Sequence, residues 1–249
     1  MTTLFARKGW VVALLAAIAL PWVLPYLTPY EMNVRLLEPA RAQVAWQVAW
    51  VIALLWTFSQ AARLGAANSR TGVGAYFRSC GISGISQLFQ IWLATMVYLL
   101  PVVVVAAAVC LLGAMPGNAQ EASMWVATNL QYAALFTLVV GPLALLAVAL
   151  GSRFGSLVGY ALPVTLCLYG LYGVLFLGQT IKLRDNVLLE WLYAASPHYH
   201  LADLTPRLVF KLGNYPPETF VSLLAYFIGI TVVLGVVSSS FFRTEPLKH

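Results

Sequence analysis

The chain has 249 residues, of which 61% are hydrophobic and only 9% are charged. A soluble domain carries about a quarter charged residues, because much of its surface must face water. This apolar excess needs a second solvent, and a lipid bilayer supplies one. Cys80, Cys110 and Cys167 are too few and too scattered for a disulfide framework or a zinc site. The formal charge of +6 contains no basic cluster, which argues against nucleic-acid binding.

Six apolar segments are long enough for a membrane helix, which needs about 20 mostly apolar residues. In chain order they are predicted at 10–29, 44–62, 88–113, 124–150, 157–178 and 219–241. The runs are continuous and do not alternate as barrel strands do, so we expect an all-α, polytopic membrane protein. Residues 1–249 contain no long soluble stretch and are expected to form one transmembrane domain. The first segment is too long for a secretory signal and is interpreted as a retained helix.

The charges between the spans predict an orientation. An even number of spans places both termini on one side of the membrane. If that side is the cytoplasm, the inner segments hold eight basic residues and one acidic residue, against six and seven outside. The inner set is Arg7, Lys8, Arg63, Arg70, Arg78, Arg153, Arg243 and Lys248, with Glu245 as the acid. The positive-inside rule therefore favours cytoplasmic termini.

Two connecting segments are large enough to carry a function. The inner one, residues 63–87, is rich in Gly, Ser and Arg, and the outer one, residues 179–218, mixes apolar and charged residues. Within the outer segment, 186–194 and 204–212 are predicted to be short helices lying at the membrane interface.

A glycine pattern before the fifth segment suggests close helix packing. Gly151, Gly155 and Gly159 are four residues apart, and this spacing lets another helix approach closely. Glycine is also common in membrane helices generally, which would explain the pattern without any such contact.

The absence of certain residues and motifs from the sequence limits the functions that the chain could have. No span carries an ionisable side chain at its centre, which argues against a proton- or ion-driven carrier, although backbone carbonyls alone can hold sodium. No phosphate-binding loop is present, and the dipeptide Gly-Lys does not occur. The chain is therefore not expected to be an enzyme, and any uphill transport would draw its energy from a partner.

A few polar and aromatic side chains are candidates for a substrate path. They are Asn129, Gln131, Tyr98, Tyr169 and Tyr172, which would suit an amphipathic cargo. Hydrogen bonds and packing between helices explain them equally well.

One histidine pair stands in the outer segment, His198 and His200, with Asp203 nearby. A His-x-His pair is able to ligate a metal ion. Its aromatic-rich loop favours hydrogen bonding instead, and no metal site or cofactor is predicted.

Two motifs carry a family resemblance. The first is Arg70-Thr-Gly72-Val-Gly-Ala-Tyr76-Phe77-Arg78, followed by a break at 81–86 and the apolar run from Leu88. The second is Ser196-Pro197-His198-Tyr-His200, with Arg207 further on. With six spans in about 250 residues, this layout resembles the membrane subunits of type-2 ABC exporters. The second motif is similar to the branch of gliding-motility and nitrous-oxide-reductase maturation permeases.

The chain also departs from that pattern. Arg70 and Thr71 stand where the family commonly has a Glu, and the Pro after the coupling helix and the Lys opening the third span are absent.

The resemblance implies a permease subunit in a bacterial-type inner membrane, supplying half of a twelve-helix export pathway. It would pair with a second copy or a sister permease, within membrane lipid. A separate ATPase subunit would dock on a coupling helix at 70–79, through Arg70, Gly72, Tyr76, Phe77 and Arg78. Two alternatives remain open: a structural or assembly subunit of another membrane complex, and a membrane-embedded enzyme acting on lipid.

Overall fold

Six helices in the structure are long and apolar enough to cross a membrane. The computed structural model describes residues 9–27, 34–183 and 186–245, with side chains throughout except at 34–36. The spans, numbered first to sixth, are Gly9–Leu27, Leu37–Arg70, Gly84–Gly113, Ala119–Phe154, Ser156–Leu183 and Pro217–Phe241. No strand occurs in these described ranges, and the six predicted spans of an all-α protein are confirmed.

The structure does not describe the last two residues of the predicted first span. Among the inner charged residues, Arg7, Lys8 and Lys248 lie outside the described part of the chain. The outer counts of six basic and seven acidic residues likewise include Glu31, Arg184 and Asp185, which lie outside it, and Arg35, whose side chain is not described.

The predicted inner loop is wrong in its first part, because the second span stays helical to Arg70 instead of ending near residue 62. Hydropathy does not predict this part of the span, because the stretch Phe58–Arg70 is polar on average. One face of it is nevertheless buried, through small residues such as Ala61, Gly65 and Ala66. The fourth span is longer still, at 36 residues. This corresponds to about 54 Å of helix, which exceeds the roughly 30 Å of bilayer hydrocarbon.

Several short elements interrupt or join the spans. Three π-helical turns, at Ala53–Thr57, Val109–Gly113 and Tyr169–Gly173, lie in the second, third and fifth spans. A 3-10 turn at Leu24–Leu27 ends the first span. Outside the spans lie the α-helices Val73–Ser79, Val187–Ala195 and Thr205–Val209 and the 3-10 turn Tyr199–Ala202.

The fourth span is the centre of the bundle. Within its most apolar 18-residue window 78% of residues are buried, compared with 6% for the sixth span. The second, third, fifth and sixth spans all pack against it.

Glycine makes the closest of these approaches possible. A Cβ on Gly65 would overlap the Val148 carbonyl, and one on Gly151 would overlap the Ala62 carbonyl. The close approach predicted from the glycine spacing is confirmed for Gly151 and Gly159. The three glycines do not lie on one continuous helix face, because Gly155 ends the fourth span with φ of 95°.

The two ends of the bundle differ in charge. The end that carries Val73–Ser79, here called the basic end, holds more cations than anions among the described residues: Arg63, Arg70, Arg78, Arg153 and Arg243 against Glu245. The opposite end carries a more balanced set: Arg41, Lys182, Arg207 and Lys211 against Glu38, Glu121, Glu190, Asp203 and Glu218.

At the opposite end the long connecting segment folds back along the fifth span. The Tyr193 ring lies against Gly178, and the Tyr169 and Ser196 hydroxyls are 2.7 Å apart. Tyr169 lies about 21 Å back along the helix axis from Leu183. The two predicted outer helices are confirmed, the second in shortened form. Val187–Ala195 packs against the end of the fifth span, and Thr205–Val209 packs against the second span.

Candidate functional site

A short helix, Val73–Ser79, projects at the basic end between the second and third spans. The second span ends at Arg70, and Gly72 then adopts a left-handed conformation with φ of 76°, which turns the chain within two residues. The predicted coupling helix therefore begins at Val73 and not at residue 70. Arg70 belongs to the last turn of the second span, and Gly72 to the turn rather than to the helix.

The outward face of this helix is aromatic. Tyr76 is 66% exposed and Phe77 is 40% exposed, with ring centroids 5.9 Å apart. Arg78 follows them and is also exposed. Large rigid aromatic side chains next to Arg are typical of the residues that dominate protein interfaces.

The inward face of the helix is fixed by a buried amide cluster. Gln87 donates from Nε2 to the carbonyls of Gly74 and Ile82, at 3.1 and 3.2 Å. Its Oε1 accepts from Asn68 Nδ2 at 3.1 Å. The cluster thus ties the second span, the short helix and the third span together, and it holds the exposed aromatic face in one orientation.

The residues after the sixth span complete this support. The buried Thr244 leaves room only for glycine at position 74, because a Cβ there would lie 2.6 Å from the Thr244 carbonyl oxygen. Arg78 Nη1 is 3.5 Å from Thr244 Oγ1 and 4.0 Å from Glu245 Oε1. The guanidinium of Arg70 instead lies against Gly155, so its contact is with the turn between the fourth and fifth spans.

Of the candidate path residues, Asn129 and Gln131 are used in internal contacts. The fully buried Asn129 accepts from Trp46 Nε1 at 3.0 Å and donates to the Trp125 carbonyl. Gln131 exchanges two hydrogen bonds with the backbone of Tyr215, at 2.8 and 3.0 Å. In this conformation both join helices or loops, and neither lines an open path.

The three candidate tyrosines lie apart from one another. Tyr98 packs edge-on against Trp56 with ring centroids 5.6 Å apart. Tyr169 binds Ser196, as described above. Tyr172 is 64% exposed on the π-helical turn of the fifth span. The structure therefore does not bring the predicted path residues into one cavity.

The Ser196–His200 motif connects the outer segment to the fifth and sixth spans. Ser196 and Pro197 lie against Tyr169 and Gly170, and the backbone N–H of His198 donates to the Tyr226 hydroxyl at 2.9 Å. The His198 and His200 ring centroids are 5.6 Å apart. Within the described ranges no three His, Cys, Asp or Glu side chains are grouped to hold a metal ion.

The environment of His200 disfavours its protonated form. Burial lowers the pKa of His200, the nearby His198 lowers it further, and a hydrogen bond with the Gly170 backbone opposes both effects. Arg207 closes the following loop, donating from Nε to the Gly213 carbonyl at 2.8 Å with its guanidinium over the Tyr215 ring.

Sequence reasoning missed a buried polar network centred on Tyr132. Its hydroxyl accepts from Trp50 Nε1 at 3.0 Å, donates to the Asp203 carboxylate at 2.5 Å and lies 2.8 Å from the Thr205 hydroxyl. Asp203 therefore faces Tyr132 and not the histidines. The sequence signal was a single carboxylate near the histidine pair, and this signal by itself does not reveal the partner of Asp203.

No family model, curated protein or solved structure matches the chain. The resemblance to type-2 ABC exporter permeases therefore stays a prediction carried by the two motifs.

Proposed function

We propose that this multi-pass membrane protein is the permease subunit of an ATP-binding-cassette exporter, driven by a separate ATPase subunit. One observation supports the proposal above others, namely the exposed aromatic helix Val73–Ser79 held rigidly at the basic end. The exposed Tyr76–Phe77 pair contributes little to the packing of the bundle. It is well suited to a partner protein that covers it.

The contacts that hold this helix in place suit it to transmit a movement to the spans. Movement of the helix would act on the second and third spans through the Asn68–Gln87 cluster. It would reach the fourth span through Ser69, whose hydroxyl donates to the Ser152 carbonyl at 2.7 Å. ATP binding in the partner would thereby favour one of two packings of the bundle.

The proposal includes an orientation and a location. Both termini and the basic end would face the cytoplasm of a bacterial-type inner membrane, in line with the excess of arginine there. A second permease, either another copy or a sister subunit, would complete the pathway. The sixth span, of which only 6% of the most apolar window is buried, offers surface both for such a subunit and for lipid.

The proposal predicts that the aromatic pair is needed for ATPase binding. Changing Tyr76 and Phe77 together to Ala should remove several kcal/mol from a true hot spot, enough to release a partner of micromolar affinity. The measurement is affinity purification of the tagged full chain from its native membranes, with ATPase activity and co-purifying protein quantified. The wild type should retain an ATPase, and the double variant should lose it.

A matched control uses Trp191 and Phe210, which are 72% and 71% exposed at the opposite end. Their double change to Ala removes comparable aromatic area and should leave the ATPase bound. Retention of the ATPase by the Tyr76/Phe77 variant at wild-type membrane yield would refute the docking assignment. Complete absence of an ATPase from the wild-type preparation would favour the structural-subunit alternative.

A further inference from the structure

A cavity of about 230 Å³ lies between the first, second and third spans, away from the candidate docking site. Its walls include Trp10 and Leu14 from the first span, Trp56 from the second, and Val97, Tyr98 and Pro101 from the third. The lining side chains are aliphatic or aromatic, and the Tyr98 hydroxyl is the one side-chain oxygen among them.

The shape of this cavity is set by rigid groups. The Trp56 and Tyr98 rings meet edge-on, and the Pro101 ring has no free rotation. The first span is only lightly packed, with 17% of its most apolar window buried. Among the described residues, its neighbours leave the gap open at its rim.

Hydrocarbon is the occupant that fits such walls. A water molecule needs two to four polar partners. The polar side-chain atoms among the lining residues are the Tyr98 hydroxyl and the indole nitrogens of Trp10 and Trp56, and the rest of the wall is hydrocarbon. An apolar cavity of about 150 Å³ in a soluble protein stays dry and takes up benzene. Inside a bilayer the hydrocarbon at hand is a lipid acyl chain, and it would gain dispersion contacts with the fixed aromatic faces.

A cation lies on the second span between the cavity and the basic end. Arg63 is exposed and follows Trp56 by almost two helical turns, so it projects from the same face about 10 Å nearer the basic end. The Trp56 indole nitrogen is directed toward the start of the first span, since a Cβ on Gly9 would lie 3.6 Å from it. Arg binds phosphate oxygens well.

We propose that this cavity is a specific phospholipid site. One acyl chain would fill the space between Trp10, Trp56 and Tyr98, and the lipid phosphate would lie at Arg63. The inference does not depend on the proposed transport function, because the site would hold its lipid whatever the chain does.

The test measures lipid retention by the full chain. The protein is purified, delipidated in a mild detergent, incubated with phosphatidylglycerol and examined by native mass spectrometry. The wild type should retain one phospholipid. Val97→Trp, which fills the cavity, should lower retention at least ten-fold, and Arg63→Gln should lower it several-fold.

Two further variants keep the test decisive. Ala13→Leu fills the same cavity from the first span and serves if Val97→Trp does not fold. Val232→Trp adds the same bulk to the sixth span, where Val232 is 60% exposed, and should retain lipid like the wild type. Wild-type retention by both filled variants would overturn the site, as would equal losses in Val97→Trp and Val232→Trp. Wild-type retention by Arg63→Gln would overturn the assignment of the headgroup.

Discussion

At the scale of single residues, several polar side chains buried in this bundle bind partners far away in sequence. Asn129 binds Trp46, and Tyr132 binds Trp50 and Asp203. Burying such a group without a partner is costly, and no water is present in the bilayer to replace a lost one. The bonds of Trp46 and Trp50 therefore fix the register between the second and fourth spans. The bond of Asp203 fixes the outer segment against the fourth span.

We expect Tyr132→Phe to destabilise the protein by about 1–3 kcal/mol, because a buried donor loses its partner and a carboxylate loses one of its two donors. The donor is Trp50 Nε1 and the acceptor is the Asp203 carboxylate. The shape of the ring is kept, so packing against Trp46, 4.1 Å away between centroids, should survive. The measurement is the free energy of unfolding in detergent, from a denaturant titration.

Tyr172→Phe is the matched control for this change. The Tyr172 side chain is exposed and makes none of these buried hydrogen bonds, so its loss should change the free energy by no more than about 0.5 kcal/mol. Equal stability of the two variants would show that the Tyr132 network contributes nothing to the fold.

At the scale of elements, the sequence predicted the spans, which hydropathy determines, and missed the features that depend on tertiary contacts. The six spans follow from long apolar runs, since a bilayer helix must satisfy its own backbone and present apolar side chains to lipid. The polar helix from Phe58 to Arg70 was missed, because its burial depends on a fold-specific contact with the fourth span. The same reason hid the docking of Thr244 on Gly74, two positions that are remote in sequence.

The candidate site could be predicted only in part for a related physical reason. The exposed aromatic pair Tyr76 and Phe77 was visible as an unusual hydrophobic feature in a Gly- and Arg-rich loop. The role of Arg70 was not, because its contact with Gly155 arises from folding of the second and fourth spans. The glycine spacing predicted a close approach, but it could not tell which of the three residues would break the helix.

We expect Gly65→Ala to destabilise the bundle by about 1–3 kcal/mol or more, as overpacked core sites usually do. The added methyl group would overlap the Val148 carbonyl on the central fourth span, where backbone cannot yield easily. Thermal unfolding in detergent, followed by circular dichroism, would measure the change. Gly229→Ala is the control, because no neighbouring atom lies within 4 Å of a Cβ at that position. A lower unfolding temperature for Gly229→Ala than for Gly65→Ala would contradict the packing argument.

At the scale of the whole molecule, the asymmetry of charge and the position of the cysteines allow a direct test of orientation. The five described arginines of the basic end would face the cytoplasm under the positive-inside rule. Cys80 is exposed beside the aromatic helix at this end, while Cys110 and Cys167 are buried. A single native thiol therefore reports which side the basic end faces.

A membrane-impermeant maleimide should leave the protein unlabelled in intact cells and should label it in inside-out vesicles. The labelling should disappear in Cys80→Ser, because the two remaining thiols are buried in the spans and shielded from the reagent. Phe210→Cys in the Cys80→Ser background supplies the opposite control, since Phe210 is exposed at the other end. This variant should react in intact cells. Reaction of Cys80 from outside intact cells would reverse the orientation and place the aromatic helix beyond the reach of any cytoplasmic ATPase.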